Sequence, residues 1–164
     1  MEDFSGSAYT SQNEGGFHAR AYLDSRGFWT VGDGCTGLDP FNSPDPTIGP
    51  HTIWTPEQGA LEFGRRYRAA AAQAALDLGA AYWSALDPVR QAVLTDIAYQ
   101  DGGGNARTGV GGLAGFHDLL AAVRAHNWVR AQAECRDSKN FTQSHNRCVR
   151  NGIMLLTGNP PAPF

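Results

Sequence analysis

Apolar residues recur at three- and four-residue spacing through most of the second half of the chain, the periodicity of helices that bury one face. Two of these segments begin with a capping residue and a proline, Thr55-Pro56 and Asp87-Pro88, a combination typical of helix starts. The pattern predicts a long helix over 55–75 and another over 89–100. Shorter helices are predicted over 113–125, 128–135 and 144–156.

The segment 89–100 is apolar on most of its surface, which is typical of a helix buried in a core. Asp96 lies among these apolar residues. If its carboxylate is buried it requires a partner, because an unpaired buried charge is very costly.

The helices over 55–75 and 144–156 have apolar residues on part of their surface only. The first is expected to be anchored by Leu61, Phe63 and Tyr67, with its arginines on a solvated face: Arg65, Arg66 and Arg68. The second is expected to bury a face formed by Val149, Ile153 and Leu156, and to end at Gly158.

The pattern changes over residues 14–37, where short extended runs alternate with glycines. Runs at 21–23 and 28–31 flank a turn that contains Gly27, which predicts a β-hairpin. Before it, a short helix over 3–13 should end at Glu14, because two glycines follow. After it, the prolines between 36 and 54 predict a surface loop, and the glycine-rich stretch 101–112 predicts a second loop beside the cleft.

The hairpin region carries polar groups with a defined chemical use. Two carboxylates held apart, Glu14 and Asp24, together with the hydroxyl of Thr30, are the components of acid/base cleavage of a glycosidic bond. Local propensity alone favours a structural interpretation, in which Glu14 ends a helix and Asp24 starts a turn. The residue types therefore indicate a candidate site and leave its role open.

These same residues resemble the catalytic E…D…T signature of phage-type lysozymes, the T-even phage lysozyme family. The resemblance begins at Glu14-Gly15 and the runs 21–24 and 27–32. It continues in the same order and covers about residues 12–160, at 84–90, 97–102, 112–116, 127–128, 146–150 and 157–158.

The resemblance implies an α+β, mostly helical fold formed by a single domain over 1–164. A β-rich lobe is expected over about 14–54 and a helical lobe over 1–13 and 76–164. The helix over 55–75 would join them, with the active-site cleft between the lobes.

The resemblance also implies a muramidase that cleaves the β-1,4 bond between N-acetylmuramic acid and N-acetylglucosamine in peptidoglycan, with inversion. Glu14 would protonate the leaving oxygen. Asp24, with Thr30 holding a water, would assist attack from the opposite face of the sugar. Arg147 matches the position where the family places an arginine against the glutamate.

Further expectations concern ligands and partners. Gly34 and Phe116 are candidate substrate-binding residues. The implied partner is a peptidoglycan glycan strand, bound by a monomer that needs no metal or organic cofactor. A zinc site is rejected, because the cysteines and histidines lack the usual ligand spacing.

Two features depart from the family pattern. The interval from Glu14 to Asp24 is one residue longer, so an insertion near residues 15–17 could displace Asp24 and leave Asp33 as the alternative carboxylate. Asp33-Gly34-Cys35 also stands where the family usually has an apolar residue, a glycine and a histidine. An ion pair formed by that histidine is therefore expected to be missing.

Composition narrows the possible classes. With 41% hydrophobic and 18% charged residues, the chain has the composition of a globular protein, and no run is long enough for membrane insertion. The net charge of −3 argues against nucleic acid as a ligand. It also differs from the basic lysozymes of the family, whose charge favours an anionic wall. Three cysteines are too few for a disulfide framework, although pairing of Cys135 with Cys148 stays open.

The N-terminus has acidic residues where a secretory signal has basic ones. We therefore expect synthesis in the host cytoplasm without a signal peptide, followed by action on peptidoglycan in the periplasm after release or delivery. Three functions remain open at this point. They are an endolysin for host-cell lysis, a wall-degrading toxin or virion-borne lysozyme delivered by a secretion or injection machine, and a non-catalytic wall-binding module.

Overall fold

The computed structural model describes residues 4–25, 27–37, 48–102, 111–136 and 145–161. Within these ranges the chain is mostly helical with one small antiparallel sheet, so the predicted α+β class is confirmed. Large parts of the two predicted loops, 36–54 and 101–112, lie outside the described residues.

Helices form most of the described chain. The first, α1, precedes the sheet and spans Gly6–Asn13. The others follow the sheet: α2 Pro56–Leu78, α3 Ala80–Ser84, α4 Pro88–Asp101, α5 His117–Arg124, α6 Trp128–Arg136 and α7 His145–Thr157. A 3₁₀ turn at Leu113–Gly115 precedes α5, where the sequence predicted one continuous helix over 113–125.

The two capped helix starts are confirmed in detail. Thr55 Oγ1 accepts from the Gln58 amide at 3.2 Å, and Gln58 Oε1 accepts from the Thr55 amide at 2.9 Å. This reciprocal capping box satisfies two donors at the start of α2. At α4, Asp87 Oδ1 accepts from the Arg90 amide at 3.0 Å, with Pro88 as first helical residue. Local sequence therefore fixes where both helices begin.

Most of the apolar core surrounds α4, which is buried from Ala92 to Ala98 without interruption. The same cluster takes apolar residues from α2, the 3₁₀ turn and the helices that follow, including Leu78, Leu113, Leu119 and Met154. The prediction that α4 is the buried central helix is confirmed. All three cysteines are buried thiols, and no disulfide joins Cys135 to Cys148.

The sheet consists of β1 His18–Leu23, β2 Trp29–Gly32 and β3 Cys35–Thr36, in the order β1-β2-β3. The predicted hairpin is present, and β3 is an addition. One face of this sheet packs on a second, smaller apolar cluster in which Val31, Cys35 and Ile48 are buried. The sheet thus has its own core, separate from that of the helices.

The pairing of β1 with β2 contains an irregularity. Tyr22 lies opposite Thr30, but His18 lies opposite Gly32, so four steps along β1 match two along β2. The β1 residues in between bond instead to the segment before α2. Trp54 N donates to the Ala19 carbonyl at 2.9 Å, and the amide of residue 21 donates to the carbonyl of residue 52 at 3.0 Å. This bulge adds length between Glu14 and Asp24 inside the strand, beyond the turn at residues 15–17.

Three predictions about helix faces are wrong. The buried stripe of α2 runs through Phe63, Arg66 and Ala70. Leu61 precedes Phe63 by two positions, which places it about 200° around the helix, and it is 75% exposed. Arg66 belongs to the buried stripe and is 3% exposed rather than solvated. In α7 the buried face includes Asn151 and Leu155, and Ile153 is 43% exposed.

In the described part of the chain, no helix combines the length and apolar character that crossing a membrane requires.

Candidate active site

Glu14 stands at the end of α1, where its own amide bonds to the carbonyls of Thr10 and Ser11 at 3.0 and 3.1 Å. The helix has few apolar residues, and polar contacts add to the packing of Tyr9 in the main apolar core. Tyr9 is buried and donates to Asn151 Oδ1 on α7 at 2.7 Å. The Thr10 hydroxyl, fully buried, donates to Asp96 Oδ1 on α4 at 2.9 Å. The predicted helix end at Glu14 is therefore correct and firmly positioned.

The Glu14 carboxylate meets Arg147 of α7, as the resemblance implied. Arg147 Nη1 donates to Glu14 Oε1 at 2.7 Å, and the side chains are 7% and 21% exposed. The pair joins residues 133 positions apart in sequence. One oxygen of a partly exposed carboxylate is thus fixed by a buried cation.

Arg147 is bound in turn by the buried carboxylate of Asp96. Its Nε and Nη2 donate to Oδ2 and Oδ1 of Asp96, each at 2.8 Å. Asp96 is completely buried and also accepts from Asn151 Nδ2 at 3.0 Å and Asn13 Nδ2 at 3.2 Å. Burial acts to raise the pKa of Asp96, but Arg147 and these donors outweigh it and the pKa is lowered. Asp96 therefore has the partner that its position required.

The other oxygen of Glu14 lies against Gly34, in the turn between β2 and β3. A Cβ at Gly34 would lie 2.6 Å from Oε2 and 2.9 Å from Cγ of Glu14, and the backbone has φ +77°. Only glycine tolerates both the close approach and this backbone conformation. Gly34 was predicted to bind substrate, and its observed contact is with the candidate acid.

The sheet brings Tyr22 and Thr30 to one face. Thr30 of β2 lies directly across from Tyr22 of β1, and alternation along the strands places both opposite the Val31 and Cys35 side, which packs on the small core. Asp24 follows the end of β1, two residues after Tyr22, and its amide continues the pairing by donating to the Phe28 carbonyl. Burial, with Glu14 and Asp24 nearby, raises the pKa of the Tyr22 hydroxyl. The negative charges of both candidate carboxylates thus act on the same phenol.

The backbone of a turn contacts Asp24 on both its side chain and its main chain. Its Oδ1 accepts from the Phe28 amide at 2.9 Å. Its backbone amide donates to the Phe28 carbonyl at 2.9 Å, and its carbonyl accepts from Gly27 at 2.9 Å. Leu23 and Phe28, which flank this turn, are exposed. The side chain is therefore oriented by local backbone at the tip of the hairpin.

Thr30 is more enclosed than a water-holding role suggests. It is 3% exposed, and its hydroxyl donates to the Phe28 carbonyl at 3.2 Å. Its oxygen keeps acceptor capacity, so the hydroxyl can still accept from a water on the Tyr22 side.

The alternative carboxylate, Asp33, is occupied elsewhere. The Ser11 hydroxyl of α1 donates to Asp33 Oδ1, and the Tyr99 hydroxyl donates to the Asp33 carbonyl at 3.1 Å. Asp33 is 8% exposed. These contacts attach the β2–β3 turn to α1 and α4, which is a structural role.

Cys35 occupies the place where the family usually has a histidine. It is fully buried, with Sγ 3.9 Å from the Tyr99 hydroxyl. Burial raises the pKa of its thiol to about 11, so the side chain is neutral.

Phe116 is not among the contacts of Glu14 described above. It is partly buried, packs against the main apolar core and stands between the 3₁₀ turn and α5. Its role in substrate binding stays a prediction.

Sequence reasoning missed the function of several polar residues near the site. Asp96 was noted as needing a partner, but nothing local pointed to Arg147, and Asn13, Asn151 and Tyr22 were not singled out. Within the described ranges, no group of three or more acidic, histidine or cysteine residues could hold a metal ion.

Comparison with known proteins gives one informative similarity. Over 77 residues the chain is 36% identical to the pre-baseplate central spike protein Gp5 of Enterobacteria phage T4. The aligned stretch is 47% of this chain and 12% of that protein, so the chain corresponds to a small part of its relative. No protein-family model matches the chain. The similarity associates the chain with bacteriophage proteins.

Proposed function

We propose that this chain is a muramidase that hydrolyses the β-1,4 bond between N-acetylmuramic acid and N-acetylglucosamine in peptidoglycan. The observation that carries the proposal is the placement of Glu14, which Arg147 binds at 2.7 Å and which lies against Gly34 of the same small sheet whose hairpin carries Asp24 and Thr30. The similarity to a phage spike protein supports a phage origin for such an activity.

In the proposed mechanism Glu14 protonates the glycosidic oxygen as the bond to the sugar carbon breaks. Asp24 accepts a proton from water, which attacks that carbon from the opposite face, and Thr30 helps to hold the water. Arg147 stabilises the carboxylate that Glu14 becomes after it gives up its proton. Separate acid and base carboxylates with a water between them give inversion.

The direct test is loss of turbidity of purified peptidoglycan or permeabilised Gram-negative cells with wild type and Glu14→Gln. Glutamine keeps the size and polarity of the side chain but cannot supply the proton, so activity should fall at least about 10²-fold. A matched control is Glu57→Gln, which neutralises an exposed carboxylate at the start of α2. Equal clearing by wild type and Glu14→Gln would refute the catalytic assignment.

A second candidate keeps the chemistry but changes the biology. The relative is by its name a central spike protein of the baseplate, which favours a lysozyme carried on the phage particle over a free endolysin. Mass spectrometry of purified particles would then detect this chain in stoichiometric amounts. Detection in the lysate but not in particles would support the endolysin instead.

The third possibility, a wall-binding module without activity, predicts pull-down of the chain by insoluble peptidoglycan with no release of fragments. The acid, its arginine and the hairpin carboxylate are all present, which argues against it because a binding module needs none of them in this arrangement.

A further inference from the structure

The Arg147 guanidinium divides its donors between two carboxylates of different surroundings. Nε and Nη2 bind Asp96, and Nη1 binds Glu14 at 2.7 Å. We infer that Asp96 is a positioning residue for the acid, since it aims Arg147 at Glu14 and offsets its charge. The inference rests on the proposed role of Glu14.

The aim follows from the shape of the guanidinium group. Two parallel hydrogen bonds from one edge of the planar guanidinium to one carboxylate fix both the plane and the rotation of the group. With the plane fixed by Asp96, the direction of Nη1 is also fixed, and it points to Glu14 Oε1. Asp96 in turn cannot rotate freely, because Thr10, Asn13 and Asn151 bond to its two oxygens.

The charges of the three side chains show why a carboxylate at position 96 suits a proton donor at position 14. With Glu14 protonated, Arg147 and Asp96 form a neutral pair. With Glu14 ionised, the three groups carry a net negative charge in a largely buried site. Without Asp96 the ionised form of Glu14 would be favoured instead, since Arg147 would then be neutralised only when Glu14 is ionised. Asp96 therefore favours the protonated form of Glu14, which a general acid needs.

The tyrosine and cysteine side chains near Arg147 and Asp96 do not alter the charge balance that acts on Glu14. Burial raises the pKa of Tyr9, Tyr67 and Cys135 beside Asp96 to about 12. Tyr22 and Tyr99 beside Glu14 also have raised pKa values, so these groups stay neutral from pH 3 to 9. Three further charged or titratable residues lie nearby: Arg150 bonds to Asn13, Asp33 bonds to Ser11, and His18 lies beside Gly15. They are the same in every variant considered, so they do not contribute to the difference between variants.

The test is a ¹³C NMR titration of the Glu14 carboxyl carbon, assigned with Glu14→Gln, in wild type and Asp96→Asn. Asparagine keeps the size of Asp96 and removes its charge. We expect the titration midpoint of Glu14 to fall by about one pH unit, because Arg147 then acts on Glu14 without an offset. The alkaline limb of the wall-hydrolysis profile should move to lower pH by the same amount.

Asp77→Asn provides the matched control. Asp77 is another buried carboxylate of the helical region, bonded to Gln73 at 2.7 Å, and Arg147 and Glu14 are not among its partners. Its removal should leave the Glu14 midpoint in place. An unchanged midpoint in Asp96→Asn would overturn the inference, whereas a shifted midpoint without any wall hydrolysis would uphold the charge coupling and refute the proposed function.

If Asp96→Asn does not fold, the double variant Asp96→Asn/Arg147→Gln replaces it. Removing both charges leaves no uncompensated buried ion. If Asp96 offsets Arg147, the Glu14 midpoint should move by less than about 0.5 pH unit from wild type. If Asp96 is only structural, the double variant loses the attraction of Arg147 alone, and a rise of about one unit or more would overturn the inference.

Discussion

The two candidate carboxylates are held in opposite ways. Glu14 is fixed by a buried polar network that connects α1, α4 and α7 through Arg147 and Asp96. Asp24 is oriented by the backbone of one hairpin turn, through the Phe28 amide, beside exposed side chains. The contacts of the candidate acid thus run into the helical core, whereas the turn contacts of Asp24 lie within the hairpin.

The tasks proposed for the two carboxylates account for this difference. An acid that must keep its proton benefits from a rigid and poorly solvated site in which neighbouring charges are balanced. A base that activates water needs access to solvent and an ionised carboxylate, which a hairpin tip supplies. Substitutions on the Glu14 side should therefore change stability and activity together, and those on the Asp24 side should change activity alone.

The largest effect is expected for Arg147→Gln. It leaves the Asp96 carboxylate buried without its cation, so the free energy of unfolding should fall by about 3–5 kcal/mol, with loss of wall hydrolysis. Chemical denaturation followed by circular dichroism measures the change. The control is Arg130→Gln, an exposed arginine paired with Asp118 and Glu134, for which a loss below about 1 kcal/mol is expected. Similar values for both would contradict the buried network.

Asp24→Asn should separate activity from stability. Asparagine keeps the oxygen that accepts from Phe28, so the free energy of unfolding should change by less than about 1 kcal/mol, while wall hydrolysis falls by about 10²–10⁴-fold. Asp33→Asn should do the reverse, since its carboxylate binds Ser11. An active Asp24→Asn with an inactive, folded Asp33→Asn would transfer the role of base to Asp33.

A smaller effect is expected for Gly34→Ala, which tests the contact between the sheet and the Glu14 carboxylate. The new Cβ would lie 2.6 Å from Glu14 Oε2, so the carboxylate must move and hydrolysis should drop by about tenfold. Gly111→Ala is the matched control, because it has a similar φ of +74° but no atom within 4 Å of the added Cβ. Both should lose about 1–2 kcal/mol from backbone strain. Equal activities would show that the contact with Glu14 is unimportant.

Features set by neighbours in sequence could be predicted. The caps at Thr55 and Asp87, the end of α1 at Glu14 and the hairpin turn all depend on residues within four positions. The apolar pattern of α4 also identified the central buried helix correctly.

The contacts that define the site could not be predicted, because they join distant residues. Asp96 bonds to Thr10, 86 positions away in sequence, and to Arg147, 51 positions away. No local sequence pattern indicates such contacts. Arg66 was misassigned for the same reason, since its guanidinium donates to the Thr36 carbonyl 30 positions away. The β1 bulge, which shifts the pairing of His18 with Gly32 relative to that of Tyr22 with Thr30, is not revealed by composition either. The family resemblance supplied the arginine of the site but not its buried counter-ion.

The central claim is that Glu14 supplies the proton for hydrolysis of the glycan. Its most direct test is digestion of purified peptidoglycan in H₂¹⁸O by wild type and Glu14→Gln, with mass spectrometry of the released fragments. Wild type should release fragments with one ¹⁸O at a new N-acetylmuramic acid reducing end, and Glu14→Gln should release at least about 10²-fold less. Equal ¹⁸O incorporation by the two proteins, or none by folded wild type, would contradict the account.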